Sequence, residues 1–249
     1  MLTDLNQRET TAVADDKRKL LLIGDSLMKG VYQDINPDHF ETFDQPCWLE
    51  IASELNLTVQ NRARFGCTIS KAIKTVEQQM EEGRLPEQSV VIVLVGGNDC
   101  KFPWTSISKD PGGFYEATTS PEQFYQQYFD FVSMLKSADM IPILMNLPPL
   151  DAKKYLASLS QRKNRNQRLI IKYLGDVQAI YRYHEYYSGL VERVAVVQKC
   201  AMIDIRRPFL LRKDFRSLIS PDGIHLSVNG YRFMHSIIRQ YFERSSIWG

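Results

Sequence analysis

The chain has 249 residues, of which 44% are hydrophobic and 24% are charged, the balance of a globular protein that buries a substantial core. With 31 basic and 29 acidic residues its formal net charge is +2, so it lacks the strong overall field by which proteins attract nucleic acid or an anionic membrane. No apolar run approaches the roughly 20 residues of a membrane span. We therefore expect a single domain over residues 1–249, with no nucleic-acid or membrane partner.

In chain order, a polar segment comes first and five short apolar runs follow. Residues 1–18 lack the apolar stretch of a secretory signal, so we expect a flexible leader on a cytoplasmic protein. Runs such as VVIVLV are continuously apolar, which is typical of strands buried on both faces of a parallel sheet. Between the runs, apolar residues recur at helical spacing. The runs cover residues 20–24, 57–61, 90–95, 141–146 and, with an interruption, 194–205; the helical patterns cover residues 68–82, 121–138 and 227–243.

This alternation of strands and helices predicts an α/β fold, a three-layer α/β/α sandwich around a five-stranded parallel sheet. The first run ends in GDSL at residues 24–27, which presents Ser26 where a strand gives way to the next element. One interpretation is a strand-to-helix turn in which the serine caps the helix. The other is a nucleophile, because free N–H groups at a helix start stabilise an oxyanion. These four residues alone leave both interpretations open.

Polar or glycine-bearing turns also follow the second and third runs and precede the last helix. They are RFGC at residues 64–67, GGND at residues 96–99 and SPDGIH at residues 220–225. The carboxyl ends of parallel strands meet at one edge of the sheet, where such folds bind ligands. We expect the turns to converge there, with Asp25 and Asp99 supporting loop hydrogen bonds rather than chemistry.

Ser26 needs a base to become a nucleophile, and His225 is the histidine with an acidic residue at useful spacing. Asp222 lies three residues before it. In a tight turn this carboxylate can accept the Nδ1 proton, which leaves Nε2 facing the serine and stabilises the imidazolium that forms. We expect the other histidines to be surface or packing residues: His39, His184 and His235.

In order and spacing, four blocks of the sequence resemble the SGNH subgroup of the GDSL hydrolases. The blocks are residues 24–27, Gly66, residues 96–99 and residues 222–225. The resemblance implies a flavodoxin-like sheet of strand order 2-1-3-4-5 with Ser26 as the nucleophile. It also implies an oxyanion hole formed by the backbone N–H groups of Ser26 and Gly66 and the side-chain amide of Asn98. We expect neither a metal ion nor a cofactor.

The cysteines are scattered without a CxxC pair, which favours free thiols in a reducing compartment over a zinc site or a disulfide framework. They are Cys47, Cys67, Cys100 and Cys200. Cys67 and Cys100 lie next to motif residues, so a thiol is a rival nucleophile. No histidine lies near either cysteine in the sequence, which favours Ser26.

Two segments are longer than the usual connections of an α/β domain. Residues 101–120 carry aromatic residues that could form a wall at the mouth of the site and bind a sugar ring or an acyl chain: Phe102, Trp104, Phe114 and Tyr115. The alternative is a loop packed by its own aromatics. Residues 151–193 are first basic and then tyrosine-rich, which predicts one long helix or two, forming a lid or a solvated charged face.

The function that follows is hydrolysis of carboxylic esters of small acyl groups, such as O-acetyl groups on a carbohydrate, with a small-molecule or carbohydrate ester as the partner. An O-acyltransferase would use the same acyl-enzyme with an alcohol in place of water. A non-catalytic module that holds an anion at helix N-termini would not need His225. No Walker-type GKS/T sequence occurs, which disfavours phosphoryl transfer.

Overall fold

The computed structural model describes residues 18–34, 36, 38–163 and 165–245. Residues 1–17 of the predicted leader lie outside the described residues. Seven strands are present in this part of the chain: β1 (Lys19–Gly24), β2 (Val31–Gln33), β3 (Phe40–Thr42), β4 (Thr58–Asn61), β5 (Val90–Leu94), β6 (Ile141–Met145) and β7 (Ala201–Ile203). Nine α-helices accompany them there: α1 (Pro46–Glu54), α2 (Ile69–Glu81), α3 (Trp104–Ile107), α4 (Pro121–Ser137), α5 (Ala152–Lys163), α6 (Gln167–Leu174), α7 (Gln178–Val197), α8 (Arg206–Leu210) and α9 (Val228–Arg244).

Five strands form one parallel sheet in the order β4-β1-β5-β6-β7. Counted along the chain within this sheet, the order is 2-1-3-4-5, so the predicted fold and strand order are confirmed. All five residues of β5 are fully buried because β5 lies at the centre of the sheet and is covered on both faces. Helices α1 and α9 contact each other, and α4 contacts α2 and α7, so two groups of helices flank the sheet.

The prediction for residues 194–205 is wrong in its first half. Val194 to Val197 form the last turn of α7, and the strand is limited to Ala201–Ile203. The reason is periodicity: Tyr187, Leu190, Val191 and Val194 are buried at helical spacing, so this part of the run is the apolar face of a helix.

Ser26 is not followed by a helix, in contrast to the predicted strand-to-helix turn. Residues 26–30 form tight turns, in which the Lys29 N–H donates to the Asp25 carbonyl and the Gly30 N–H to the Leu27 carbonyl. The chain then enters the antiparallel hairpin β2–β3. These three-residue strands carry too short a pattern for sequence periodicity to show.

Residues 151–193 contain α5, α6 and most of α7, three helices where one or two were predicted. Together with α3 they build a second apolar cluster beside the main core; its buried members include Phe102, Trp104, Leu150, Leu156, Ile170 and Ile180. This helical cluster lies over the carboxyl ends of β5 and β6, because α3 and α5 follow those strands in the chain. Within the described residues, no helix is both long and apolar enough to cross a membrane.

Candidate active site

A continuous line of hydrogen bonds joins Ser26, His225 and Asp222. The Ser26 Oγ lies 2.8 Å from His225 Nε2, and His225 Nδ1 lies 2.5 Å from Asp222 Oδ2. Ser26 is half-buried, whereas Asp222 is 1% exposed and His225 is 8% exposed. The three residues that the sequence grouped are therefore adjacent, although 196 or more positions separate Ser26 from the other two along the chain.

The protonation states of Asp222 and His225 follow from their hydrogen bonds. Burial alone raises the pKa of Asp222, but the hydrogen bond and charge of His225 and the backbone N–H groups of Ile224 and His225 outweigh it and lower that pKa. Asp222 is thus an acceptor, so Nδ1 of His225 carries the proton and donates it. Nε2 is then the acceptor for the Ser26 hydroxyl, which is the arrangement that lets an imidazole remove a serine proton.

Hydrogen bonds from α5 and from the residue that precedes it hold the turn that carries Asp222 and His225. The Asp151 N–H donates to the Gly223 carbonyl at 2.8 Å, and the Ser158 hydroxyl donates to the Asp222 carbonyl at 3.1 Å. Gly223 has φ of +82°, and a Cβ there would lie 2.2 Å from the backbone N of Tyr155. Only glycine can adopt this left-handed backbone conformation without strain and also leave room for the backbone of α5.

We expect Gly223→Ala to lower kcat by about tenfold or more, because the added Cβ pushes the Asp222–His225 turn away from Ser26. Steady-state kinetics with a minimal aryl acetate measures the loss. Gly83→Ala is the matched control, since Gly83 also has a positive φ, +63°, but its Cβ would meet nothing within 4 Å. Equal losses in the two variants would show that backbone strain, and not the displaced turn, is responsible.

Three hydrogen-bond donors that the sequence assigned to the oxyanion hole lack partners within the described part of the chain. They are the backbone N–H of Ser26, the backbone N–H of Gly66 and one of the two N–H bonds of the Asn98 side-chain amide. Gly66 lies on the loop that follows β4, which is tied to the end of β1 by a bond from the Arg64 N–H to the Gly24 carbonyl. Free donors at this position are what a developing oxyanion requires.

Asp25 and Asp99 accept hydrogen bonds from neighbouring loops, as the sequence predicted. Asp25 accepts from the Leu27 N–H at 2.9 Å and from the Asn98 amide at 3.1 Å, so it couples the serine turn to the asparagine. Asp99 accepts from the Ile69 N–H at the start of α2 and from the Thr119 hydroxyl. Burial raises the pKa of each carboxyl to about 6. Neither carboxyl contacts His225 by a hydrogen bond.

A cavity of about 100 Å³ opens beside Ser26 and His225. Phe102 and Trp104 line it, as the sequence predicted for the aromatic wall. Phe114 and Tyr115 do not: Phe114 is 88% exposed, and Tyr115 packs against Tyr173 with its hydroxyl donating to the Asp110 carbonyl. The loop of residues 101–120 therefore contributes two aromatic residues to the cavity, and the other two lie outside it.

Helices α5 and α7 supply cavity residues that sequence reasoning missed: Tyr155, Ile180, Tyr183 and His184. His184 is buried, with 6% of its surface exposed, as expected for a packing residue. The sequence did not indicate that His184 also lines the cavity. The tyrosine-rich pattern around residue 183 was the available signal. It does not reveal which face of α7 turns toward Ser26.

The rival thiol nucleophiles are poorly placed for the chemistry. Burial raises the pKa of both Cys67 and Cys100 to about 12, so each thiol stays protonated at neutral pH. The Cys67 Sγ donates to the Thr68 carbonyl, and the Cys100 Sγ to the Gly97 carbonyl. Neither sulfur has a histidine partner in the described residues, whereas Ser26 has one.

The chain matches a known protein family over most of its length. A model of the GDSL-like lipase/acylhydrolase family matches residues 22–233. A curated relative from Arabidopsis thaliana, GDSL esterase/lipase CPRD49, is 24% identical over 199 residues, which cover 78% of this chain and 70% of the relative.

Solved structures share the fold at low sequence identity. The lipase/acylhydrolase from Enterococcus faecalis superposes with a TM-score of 0.58 at 17% identity, over 91% of this chain and 96% of its own. A mutant of an acetyl-xylooligosaccharide esterase from Geobacillus gives a TM-score of 0.57 at 15% identity, over 92% of this chain and 96% of its own. At these identities the likeness establishes the architecture alone.

Proposed function

The chain belongs to the GDSL-like lipase/acylhydrolase family and is a hydrolase of the esterase/lipase type, and from this premise we propose that it removes small acyl groups, such as O-acetyl groups of a carbohydrate, through an acyl-enzyme on Ser26. The observation that carries the proposal is the hydrogen-bonded line from Ser26 through His225 to Asp222 at the wall of a cavity. Free donors beside it support the assignment of the oxyanion hole.

In the proposed reaction, Ser26 Oγ attacks the ester carbonyl while Nε2 of His225 takes the hydroxyl proton. The carbonyl oxygen becomes an oxyanion that accepts hydrogen bonds from the N–H groups of Ser26 and Gly66 and from Asn98. His225 then gives its proton to the leaving alcohol, which leaves the acyl group on Ser26. Water attacks this ester after losing a proton to His225, and the proton returns to Ser26 as the carboxylic acid departs. Asp222 orients the imidazole and stabilises its charged form throughout.

The size of the cavity favours a small acyl group. Its volume of about 100 Å³ is less than the roughly 150 Å³ of an apolar cavity that holds benzene. Trp104 of α3, Tyr155 of α5 and Ile180 of α7 line the cavity, so their side chains limit the length of acyl chain that it can hold. The acetyl-xylooligosaccharide esterase among the structural neighbours acts on a substrate of the proposed class.

We expect p-nitrophenyl acetate to be hydrolysed with a kcat/KM at least about tenfold above that of p-nitrophenyl octanoate, because the longer chain does not fit the cavity. Ile180→Ala, which enlarges the cavity, should narrow this ratio. Ile170→Ala is the matched control, since Ile170 is buried in the same apolar cluster but does not line the cavity. A wild-type preference for octanoate would contradict the small-acyl proposal.

The substrate class is tested with a panel of acetylated sugars, aryl esters and thioesters in which both products are identified. The proposal predicts free acetate and free sugar in equal amounts. Adding a second alcohol distinguishes hydrolysis from transfer, because a transferase forms the ester of that alcohol at the expense of acetate. Lack of turnover on every acetylated sugar, with aryl acetate still hydrolysed, would remove the carbohydrate from the proposal.

A further inference from the structure

His184 lies in the wall of the cavity and takes no part in the proposed acyl transfer. It is carried by α7, is 6% exposed and lines the same cavity as Ser26 and His225. Its ring makes one hydrogen bond within the described residues, in which Nδ1 lies 3.3 Å from the Nη1 of Arg206. A buried imidazole with only one of its two nitrogens bonded raises the question of what the other nitrogen binds.

Arg206 determines which nitrogen of His184 carries the proton. Its guanidinium is 3% exposed and is held by the Leu147 carbonyl at 3.0 Å, the Glu185 carboxylate at 2.6 Å and the face of the Tyr181 ring at 5.0 Å. An arginine donates hydrogen bonds and cannot accept them, so Nδ1 of His184 must be the acceptor. In a neutral ring the proton is then on Nε2, which is left as a donor.

The imidazole of His184 also stays neutral. Burial, and secondly the charge of Arg206, lower its pKa to about 3. At any pH at which the protein works, His184 is therefore neither an acid nor a base. It is a fixed, uncharged N–H donor, in contrast to His225, whose neighbour is a carboxylate.

Tyr155 is a second neutral donor that lines the same cavity. Its hydroxyl oxygen accepts from the Trp104 Nε1–H at 3.1 Å, and its own proton has no acceptor among the described residues. Burial raises the pKa of Tyr155 to about 12, so the proton is retained. Polar residues also line the cavity, namely Asp25, Asn98, Lys101 and Tyr183. The rest of the lining is mostly apolar or aromatic: Leu27, Phe102, Trp104, Leu150, Ile180 and Ile224.

We infer that His184, through Nε2–H and alongside the Tyr155 hydroxyl, binds an oxygen acceptor of the substrate in this cavity and so selects oxygen-bearing esters over their hydrocarbon counterparts. The inference rests on the proposed function, because the ligand is the ester cleaved by Ser26. Neutral donors on His184 and Tyr155 favour a ligand that supplies acceptors, since burial of an unpaired donor costs free energy. The acceptor belongs either to the alcohol part, as a single sugar hydroxyl that reaches into the cavity does, or to an oxygenated acyl part.

Two pairs of substrates distinguish these sources. An acetylated sugar and the acetate of cyclohexylmethanol differ in the oxygens of the alcohol part. Aryl methoxyacetate and aryl butyrate have acyl parts of similar length that differ by one oxygen. If His184 binds an oxygen of the alcohol part, the first pair responds to substitution of His184, and if it binds an oxygen of the acyl part, the second pair responds. In the pair that responds, His184→Phe should lower kcat/KM for the oxygen-bearing ester by about tenfold and leave kcat/KM for the hydrocarbon ester nearly unchanged.

The variants are chosen to separate loss of the donor from loss of packing. His184→Gln restores an N–H near the position of Nε2 and should recover part of the selectivity that His184→Phe loses. His235→Phe is the matched control, since His235 is also a buried histidine, 8% exposed, but lies on α9 outside the cavity. Equal losses on both members of each pair in His184→Phe, with fluorophosphonate labelling of Ser26 retained, would overturn the inference.

A spectroscopic readout does not depend on turnover or on folded variants. In the wild-type protein, ¹⁵N NMR of the histidine side chains should show His184 as a neutral Nε2–H ring from about pH 5 to about pH 8. Titration in this range, or the Nδ1–H tautomer, would overturn the inference even if His184→Phe does not fold. Failure of the proposed function itself is distinguishable, because the wild-type protein would then hydrolyse neither member of either pair.

Discussion

Ser26→Ala is expected to lower kcat by roughly 10⁵-fold, the largest effect of any single substitution in this chain. Removing Oγ takes away the atom that forms the acyl-enzyme and leaves His225 without the proton that it is placed to accept. Binding of the ester should change little, because the cavity walls and the oxyanion donors are unchanged. Kinetics with p-nitrophenyl acetate, measured against the uncatalysed rate, gives the residual activity.

Ser160→Ala provides the control for this experiment. Ser160 is also a half-buried serine, but its hydroxyl donates to the Leu156 carbonyl within α5, away from His225. This variant should retain wild-type kinetics. If Ser26→Ala retained more than about a hundredth of the wild-type rate, another nucleophile would have to carry the reaction.

Asp222→Asn is expected to lower kcat by about 10⁴-fold with a much smaller effect on KM. The amide cannot accept the Nδ1 proton as the carboxylate does, so His225 loses both its orientation and the stabilisation of its charged form. Because the pKa of Asp222 is lowered in the folded protein, the carboxylate also contributes stability above its unfolded pKa, which is lost as the pH falls. Thermal unfolding at neutral pH measures this second effect separately from kinetics.

The matched control is Asp214→Asn, which removes an exposed carboxylate that pairs with Arg212 and does not line the cavity beside Ser26. It should leave kcat unchanged. A rise in KM with kcat preserved in Asp222→Asn would mean that Asp222 acts in substrate binding instead of through His225.

The parts of the fold that the sequence predicts are those with uniform local patterns. The run VVIVL of β5 is apolar at every position because the strand is buried on both faces, and it lies at the centre of the sheet as expected. The meeting of the turns carrying Ser26 and Asn98 was predictable for a related reason, and His225 was singled out by Asp222 three residues before it. Parallel strands place their carboxyl ends together, so residues after β1 and β5 meet whatever lies between them.

The features that were missed depend on contacts between distant segments. The role of His184 comes from Arg206 on α8, and no local pattern in α7 indicates that its Nδ1 faces a guanidinium. The need for glycine at residue 223 likewise comes from the backbone of Tyr155, which lies 68 positions earlier. Phe114 and Trp104 are both aromatic residues of one loop, yet only Trp104 reaches the cavity, because α3 turns it inward.

Activity-based labelling can identify the nucleophile of this protein directly. A fluorophosphonate reacts with a serine only where a base has activated it, and peptide mass spectrometry identifies the residue that carries the adduct. We expect a single adduct on Ser26 in the wild-type protein, and no adduct in His225→Ala. An adduct on Cys67, Cys100 or another serine, or ester hydrolysis that continues when Ser26 is fully labelled, would contradict this expectation.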